Sequence, residues 1–380
     1  DIHTKLIFDN NNSSQSQLIK EYDLLDLCIR RSLYDDKFMK DLLLFLKLIK
    51  TYQWDALVPY FNCIKSDRFG FSGFGLYRFL SFGSLLGNTL DLCHAHYGPN
   101  GKDLVDAKML GFKVGKIITT FHGYDVALTH LSKDERGSYY DDLFRVGDAF
   151  TVNTPYLYDE LLSLGCPQDR LSIIPMGIDT ELFCPKGNEN AIDRIRLLSV
   201  GRLIPIKSFE LGIKSVKRLI DNGYDIIYTI IGDGECRVEL EKMVAKMKIV
   251  DNVHFTGALD QKMVLNYMQN SDIFLMTSTY DAFGRRETQG VVVGEAQACG
   301  LPVCAFRSGG IPYAIQEGKT GFLAEEKNLD EYCQNVKTLI ENTNLRSGMS
   351  KNARQFILKH YSLEVTSKKF IKIYNELMLL

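Results

Sequence analysis

The amino-acid sequence predicts an α/β protein of two domains, each built on a parallel β-sheet. The chain has 380 residues, which is too long for one ordinary domain of about 100 to 200 residues. Short apolar runs recur in both halves with a helix-length segment behind each, as is typical of buried parallel strands. The polar segment 186–194 separates the two halves and is the predicted linker.

Residues 1–185 are predicted to form the N-terminal domain. Its clearest apolar runs are 116–121 (KIITTF), 149–152 (AFTV) and 171–175 (LSIIP), each followed by a polar turn. An amphipathic helix is predicted between the second and third runs, over 156–164. The order strand, helix, strand is that of an α/β domain.

Residues 195–358 are predicted to form the C-terminal domain, and residues 359–380 a helix that packs back toward the N-terminal domain. The predicted strands are 195–200, 225–231, 253–256, 273–277 and 302–306, with a helix from the turn after the first strand to about Asn222. Ligands of open parallel sheets bind beyond the carboxyl ends of the strands, so the turns there are the predicted place of the chemistry.

Composition excludes several classes of protein. Lys and Arg number 45 and Asp and Glu 47, so the net charge of −2 gives no indication of a nucleic-acid partner. The sequence contains no stretch of about 18 uncharged apolar residues, so no membrane-spanning helix is predicted. The nine cysteines are scattered without a Cys-x-x-Cys pair, which predicts neither a disulfide framework nor a zinc site and favours the reducing cytoplasm.

Two carboxylates eight residues apart, Glu287 and Glu295, straddle Gly290, where a loop is predicted to become a helix. The free amides and dipole of a helix start favour a phosphate, and carboxylates accept hydrogen bonds from sugar hydroxyls. The alternative interpretation is a solvated loop residue and a charge favoured by the helix dipole.

Two cations follow the first strand of the C-terminal domain, in Gly201-Arg202-Leu-Ile-Pro-Ile-Lys207-Ser208. Fixed guanidinium and ammonium groups stabilise the negative charge of a leaving nucleoside diphosphate. A solvated loop with two exposed basic residues is the alternative.

Histidines follow or lie within strands of the first half. His122 comes directly after the strand 116–121 and is predicted to hydrogen-bond a sugar hydroxyl, with a structural role as the alternative; Asp125 is predicted to be a helix N-cap. His94 and His96 share one face of a strand. They supply at most half a metal site, so no metal is predicted.

The motifs in chain order resemble family 4 retaining glycosyltransferases, and more narrowly the bacterial enzymes of O-antigen, colanic-acid and other surface-polysaccharide biosynthesis. They are HAHYGPNG (94–101), TTFHGYD (119–125), PMGID (175–179), GRLIPIK (201–207), IGDG (231–234), VHFTG (253–257) and the Glu-x7-Glu stretch 287–295. This resemblance covers the chain from about residue 90 onward. It implies the GT-B fold, in which two Rossmann-like domains, acceptor-side first and donor-side second, face a cleft.

The resemblance also implies roles for individual residues. Arg202 and Lys207 would hold the donor diphosphate, Glu287 and His122 would contact the transferred sugar, and Glu295 would contact the ribose. Backbone amides around Gln289 and Gly290 would reach the sugar or phosphate, and the Gly257 loop would lie beside the base. Two departures are Ser208, where a glycine usually follows the lysine, and the Arg285-Arg286 pair, where smaller residues are common.

The implied reaction is transfer of a sugar from a nucleotide-sugar donor to a glycan or polyprenyl-linked acceptor, with retention of anomeric configuration. No Asp-x-Asp sequence is present, so no metal and no other cofactor are expected. Three alternatives remain at this point: a glycosidase, a nucleotide-sugar epimerase of the same fold, and a non-catalytic subunit that binds sugar nucleotides.

The N-terminal residues give two further expectations. Neither an initiator Met nor any glycine precedes Gly70, so the first strand, glycine loop and helix of the family are expected to be missing, by truncation or naturally. Residues 37–52, read as a helix, carry an apolar side and a cluster of Lys40, Lys47 and Lys50, which favours either domain packing or peripheral contact with the inner face of the cell membrane.

Overall fold

The computed structural model describes residues 48, 50–52, 54–65, 82–128, 131, 135, 138–186 and 194–379. Residues 1–47 and most of the predicted linker lie outside the described residues, and so do the expectations for the N-terminal segment and for most of the helix 37–52. The chain divides into two compact units. Unit 1 comprises Asp1–Thr151, Leu162–Ser172 and Ile373–Leu380, and unit 2 comprises Val152–Leu161 and Ile173–Lys372.

The first half of the chain forms a four-stranded sheet in the order β1-β2-β3-β4. Its elements are α1 (Trp54–Lys65), β1 (Leu90–His96), α2 (Gly98–Met109), β2 (Val114–Phe121), α3 (Tyr124–Ala127), α4 (Asp141–Val146), β3 (Ala149–Val152), α5 (Pro155–Ser163) and β4 (Leu171–Ile173). The predicted strands and the helix are confirmed, with ends shifted by one or two residues.

Strands β1 and β2 pair in parallel, and their register positions the histidines of this half. His94 pairs with Ile118 and His96 with Thr120. His96 is therefore the last residue of β1 and lies beside the end of β2, and His122 is the first residue after β2. The last five residues of β2 are buried, because β-branched and aromatic residues fill both faces of a covered parallel strand.

The second half forms a six-stranded sheet in the order β10-β9-β8-β5-β6-β7, in which every pair of neighbours is parallel. Its elements are β5 (Ile195–Val200), α6 (Phe209–Asp221), β6 (Ile226–Ile231), α7 (Arg237–Lys246), β7 (Val253–Gly257), α8 (Gln261–Gln269), β8 (Ile273–Met276), α9 (Val291–Ala298), β9 (Val303–Phe306), β10 (Gly321–Ala324), α10 (Leu329–Glu341), α11 (Thr343–His360) and α12 (Leu363–Met378). All five predicted strands are present, and the short β10 was not predicted.

Two glycines allow the turns after β5 and β6 to lie against each other. A Cβ on Gly232 would overlap the carbonyl oxygen of Gly201, and one on Gly234 would lie 2.5 Å from that of Leu203. Both glycines have positive φ, 140° and 156°. The Gly-Asp-Gly turn is therefore a packing requirement that brings the carboxyl ends of the two strands together.

Two parallel-sheet α/β domains are thus confirmed. Among the helices that the structure describes, none has the length and apolar character needed to cross a membrane.

Candidate functional site

The turn after β5 carries both predicted cations of unit 2. A short 3-10 helix, Pro205–Lys207, ends at Ser208, which has left-handed backbone angles of φ 47° and ψ 42°. This conformation costs a non-glycine residue roughly 1 to 2 kcal/mol, whereas glycine adopts it without that cost. The Ser208 hydroxyl is hydrogen-bonded to Thr279 Oγ1 at 2.7 Å and donates to the carbonyl of Pro205 at 3.2 Å.

Lys207 forms an ion pair with Glu287, the first carboxylate of the Glu-x7-Glu stretch. Their side chains are only 16% and 20% exposed, so water screens the pair less than it would screen a surface pair. The Thr277 hydroxyl donates to the Lys207 carbonyl at 2.8 Å and fixes the backbone of the turn. Arg202, in contrast, is exposed and forms no ion pair with any residue that the structure describes.

The loop that contains Glu287 lies directly against a glycine pair. The Gly310 amide donates to the Glu287 carbonyl at 2.8 Å. A Cβ on Gly309 would overlap that same carbonyl oxygen, and a Cβ on Gly310 would overlap the Thr288 carbonyl oxygen. Only glycines at both positions permit this approach, so the Ser308-Gly-Gly turn sets the position of the Glu287 backbone.

The side chain of Gln289 is a structural clamp that the sequence analysis missed. It is 3% exposed; its Oε1 accepts from the Met176 amide at 2.8 Å, and its Nε2 donates to the Met176 carbonyl at 3.1 Å. The Thr154 hydroxyl donates to the neighbouring Thr288 carbonyl at 2.8 Å. The Pro175-Met-Gly-Ile-Asp motif, whose role was not predicted, is thereby attached to the Glu287 loop.

Helix α9 begins after Gly290, as predicted. Gly290 is the N-cap, with φ 70° and ψ 60°, and no side chain caps the helix. The first amides of an α-helix have no intrahelical acceptor, so those of Val291 and Val292 can meet an anion. Glu295, in the second turn of α9, is largely buried, and this burial raises the pKa of its carboxyl.

The two unusual arginines before Glu287 are both paired. Arg285 Nε donates to the buried carboxylate of Asp281 at 2.6 Å. Arg286 donates to both carboxylate oxygens of Glu326, at 3.3 and 3.1 Å. These side chains therefore organise the segment that leads into Glu287.

Gly257 lies where predicted, at the end of β7, with φ 76°. Its carbonyl accepts from the Gly232 amide at 2.9 Å, so this turn joins the paired turns after β5 and β6. A Cβ on Gly257 would lie 3.3 Å from Arg237 Nη1.

His122 belongs to unit 1 and is packed against other aromatic rings. Its Nε2 lies 2.9 Å from His96 Nδ1, and its ring centroid lies 4.6 Å from that of Tyr97. Burial, with a smaller contribution from His96, lowers the pKa of His122 to about 4. The ring is therefore neutral near pH 7 and can donate or accept one hydrogen bond at each nitrogen.

Asp125 is not the predicted N-cap. Gly123 occupies that position, and the buried Asp125 carboxylate accepts from the amides of Gly98, His122 and Gly123 at 2.8 to 3.0 Å. It ties the turn after β2 to the start of α2, because a short loop with three inward amides needs an acceptor. Burial raises the pKa of Asp125, although these three hydrogen bonds oppose the shift.

Unit 2 therefore gathers two cations, a paired carboxylate, a second carboxylate and an uncapped helix start around the ends of β5 to β8. This arrangement can bind a diphosphate through its cations and amides and a polyol through its carboxylates. Within the described part of the chain, no three His, Cys, Asp or Glu side chains converge as metal ligands.

Two family models match the chain. Residues 55–182 match Glycosyltransferase Family 4, and residues 185–356 match Glycosyl transferases group 1. The putative colanic acid biosynthesis glycosyltransferase WcaL of Escherichia coli K12 is 27% identical over 292 residues, which cover 76% of this chain and 71% of WcaL. The amylovoran biosynthesis glycosyltransferase AmsK of Erwinia amylovora is 31% identical over 236 residues, 62% of this chain and 58% of AmsK.

Solved structures support the fold. Anabaena HepE in complex with UDP aligns with a TM-score of 0.64 at 19% identity, over 75% of this chain and 79% of HepE. A glycosyltransferase from Rickettsia africae aligns with a TM-score of 0.68 at 18% identity, over 95% of this chain and 88% of its own. The chain is a family 4 glycosyltransferase of the GT-B fold, similar to enzymes of polysaccharide biosynthesis.

Proposed function

We propose that this enzyme transfers a sugar from a nucleoside-diphosphate sugar to a hydroxyl of a glycan or polyprenyl-linked acceptor, with retention of anomeric configuration. The observation that carries the proposal is the pairing of Lys207 with Glu287. It brings a phosphate-binding type of side chain and a sugar-binding type of side chain together at the start of α9. The UDP complexes of HepE support a nucleotide donor.

The charged groups have distinct roles in this reaction. Arg202 and Lys207 bind the diphosphate and stabilise the charge that it gains as the bond from the anomeric carbon to oxygen breaks. Glu287 and His122 bind hydroxyls of the transferred sugar. Glu295 accepts from the ribose hydroxyls, and the amides after Gly290 bind a phosphate or sugar oxygen. The turn at Gly257 lies beside the base.

Retention follows from attack on the face that the leaving group occupies. The acceptor oxygen bonds to the anomeric carbon while the bond to the diphosphate breaks, and a diphosphate oxygen takes the acceptor proton. This route needs no protein nucleophile. It also needs no divalent metal, because Arg202 and Lys207 supply the positive charge.

A polyprenyl-linked acceptor would also determine where in the cell the enzyme acts. A polyprenyl-linked acceptor places the reaction at the cytoplasmic face of the membrane, where a peripheral contact of residues 37–52 with anionic lipid would assist. Flotation with anionic liposomes tests this contact. Replacement of Lys40, Lys47 and Lys50 by Glu should abolish flotation, and equal flotation of the two proteins would exclude the contact.

The test of the function combines binding and turnover. Nucleoside diphosphates and their sugar conjugates, with uridine, guanosine and adenosine bases, are first screened by thermal shift, since a ligand that binds the folded state raises its Tm. The selected donor is then assayed with and without acceptor, because donor conversion without acceptor would indicate an epimerase. The coupling constant of the product's anomeric proton reports retention.

Arg202→Ala should lower turnover roughly 100-fold, comparable to loss of one preorganised transition-state donor. Arg194→Ala is the matched control, since Arg194 lies at the opposite end of β5 and pairs with Asp225. Turnover of Arg202→Ala within a few-fold of the control would refute the diphosphate assignment. Complete loss of transfer in EDTA, restored by Mg²⁺ or Mn²⁺, would refute metal independence.

A further inference from the structure

His96 and His122 form a direct pair of imidazoles in unit 1. The nitrogens His96 Nδ1 and His122 Nε2 are 2.9 Å apart, which is a hydrogen-bond distance. The ring centroids are 5.2 Å apart and the planes meet at 23°. The two rings therefore meet edge to edge along the hydrogen bond, and His96 is a polar partner of His122 in a defined orientation.

The fold holds His96 from its other side as well. The His94 ring stacks on it with centroids 4.7 Å apart and an interplanar angle of 22°. His94 is itself fixed, since its Nδ1 lies 2.7 Å from the Tyr374 hydroxyl and its Nε2 lies 2.6 Å from the Thr120 hydroxyl. The three rings form a ladder across the carboxyl ends of β1 and β2, with His122 as its last member.

A hydrogen bond between two neutral imidazoles contains one shared proton. If His96 donates, His122 accepts at Nε2 and carries its own proton on Nδ1; if His122 donates, its Nδ1 is unprotonated. The tautomers of the two rings are thus coupled, because one nitrogen of the pair must donate and the other must accept. Burial lowers the pKa of both rings, so both imidazoles are neutral at neutral pH.

We propose that His96 is a positioning residue for His122: its hydrogen bond holds the orientation in which the His122 ring meets the transferred sugar and couples the tautomer of that ring to its own. The proposal rests on the sugar contact proposed above for His122. His96 acts through His122, so it is expected to influence the chemical step more than binding of the nucleotide.

The experiment compares three variants of the full chain. His96→Phe keeps an aromatic ring for stacking but removes the nitrogen, whereas His96→Asn restores a group that can donate or accept near the position of Nδ1. His94→Phe is the matched control, because His94 stacks in the same ladder but makes no hydrogen bond with His122. Long-range ¹H–¹⁵N spectra of the histidine side chains report the tautomer of His122, and steady-state kinetics report kcat and the donor KM.

The expected result has two independent parts. In the unaltered protein and in His94→Phe, the ¹⁵N shift of His122 Nε2 should be that of a hydrogen-bonded nitrogen, and in His96→Phe it should change. The kcat of His96→Phe should fall about tenfold with donor KM within twofold, since misplacement of a contact acts on the chemical step, and His96→Asn should recover most of it.

An unchanged His122 spectrum in His96→Phe would overturn the proposal, whatever the kinetics. So would equal losses of kcat in His96→Phe and His94→Phe, which would indicate a packing effect shared by the ladder. If the spectra change as expected but the chain transfers no sugar from any donor, the proposed function fails while the positioning of His122 by His96 stands.

Discussion

Replacement of Gln289 by Ala removes both hydrogen bonds between this side chain and the Met176 backbone. Each bond contributes about 1 kcal/mol to stability, and truncation of a side chain that is 3% exposed leaves a small cavity that costs about 1 kcal/mol more. The free energy of unfolding should therefore fall by about 3 kcal/mol. This leaves the chain folded if its stability is in the usual range of about 5 to 15 kcal/mol.

The larger effect should be on turnover. Gln289 lies two residues from Glu287, and without the Met176 anchor the loop can shift; a displacement of about 1 Å at a reacting group costs on the order of 100-fold in rate. We expect kcat to fall at least tenfold, measured as sugar transfer per folded molecule at a temperature where circular dichroism shows full folding. Gln289→Glu should behave like Gln289→Ala, because a carboxylate cannot donate to the Met176 carbonyl.

Gln297 offers a matched control in the helix that follows. Its side chain is fully buried and its Nε2 donates to the Ala314 carbonyl at 2.6 Å, so Gln297→Ala should cost about 2 kcal/mol in stability without moving the Glu287 loop. If Gln289→Ala and Gln297→Ala lose stability to similar degrees and both retain kcat within twofold, Gln289 has no role in positioning Glu287.

Three other substitutions give separate tests. Ser208→Gly relieves the left-handed strain but loses the Thr279 bond, so chemical denaturation should show a change within about 1 kcal/mol; a loss of several kcal/mol would contradict this. Glu295→Gln removes a desolvated charge, so the free energy of unfolding should rise while isothermal titration shows nucleotide affinity about tenfold weaker or more; unchanged affinity would exclude the ribose contact. Burial lowers the pKa of His94 to about 4, below its unfolded value of about 6.5, so the unfolded state binds more protons in this window and stability should fall as pH falls from about 6.5 to 4. His94→Phe should show a smaller fall, and an identical pH dependence would refute the assignment.

The strands were predictable because buried parallel strands leave a direct signature in sequence. A run such as IRLLSV, with turn residues after it, identifies β5 without reference to any partner. Gly290 was predictable for a similar local reason, since it separates a polar loop from a helical pattern. The short β10 lacks such a signature, because Gly-Phe-Leu-Ala is brief and begins with a residue that is uncommon in strands.

The contacts that fix the site were not predictable, because they join residues far apart in the chain. Gln289 and Met176 are separated by 113 positions, and nothing near either residue indicates the other. Asp125 shows that a local pattern can also mislead. Its residue type indicates a helix N-cap, but it lies within α3, and its carboxylate accepts hydrogen bonds from the amides of Gly98, His122 and Gly123. Separate roles were predicted for Lys207 and Glu287, but the contact between their side chains was not.

The ion pair of Lys207 with Glu287 has a consequence for how a donor arrives. The two charges cancel at long range, so the attraction that an approaching diphosphate feels from this turn comes from Arg202. That attraction is screened over a Debye length of about 10 Å at 0.1 M salt, so the association rate should fall with ionic strength and lose this dependence in Arg202→Gln. On the proposed assignment, Lys207 binds the diphosphate only after the diphosphate has displaced Glu287, which then meets the transferred sugar. The ammonium of Lys207 should therefore govern how long the donor stays, more than how fast it arrives.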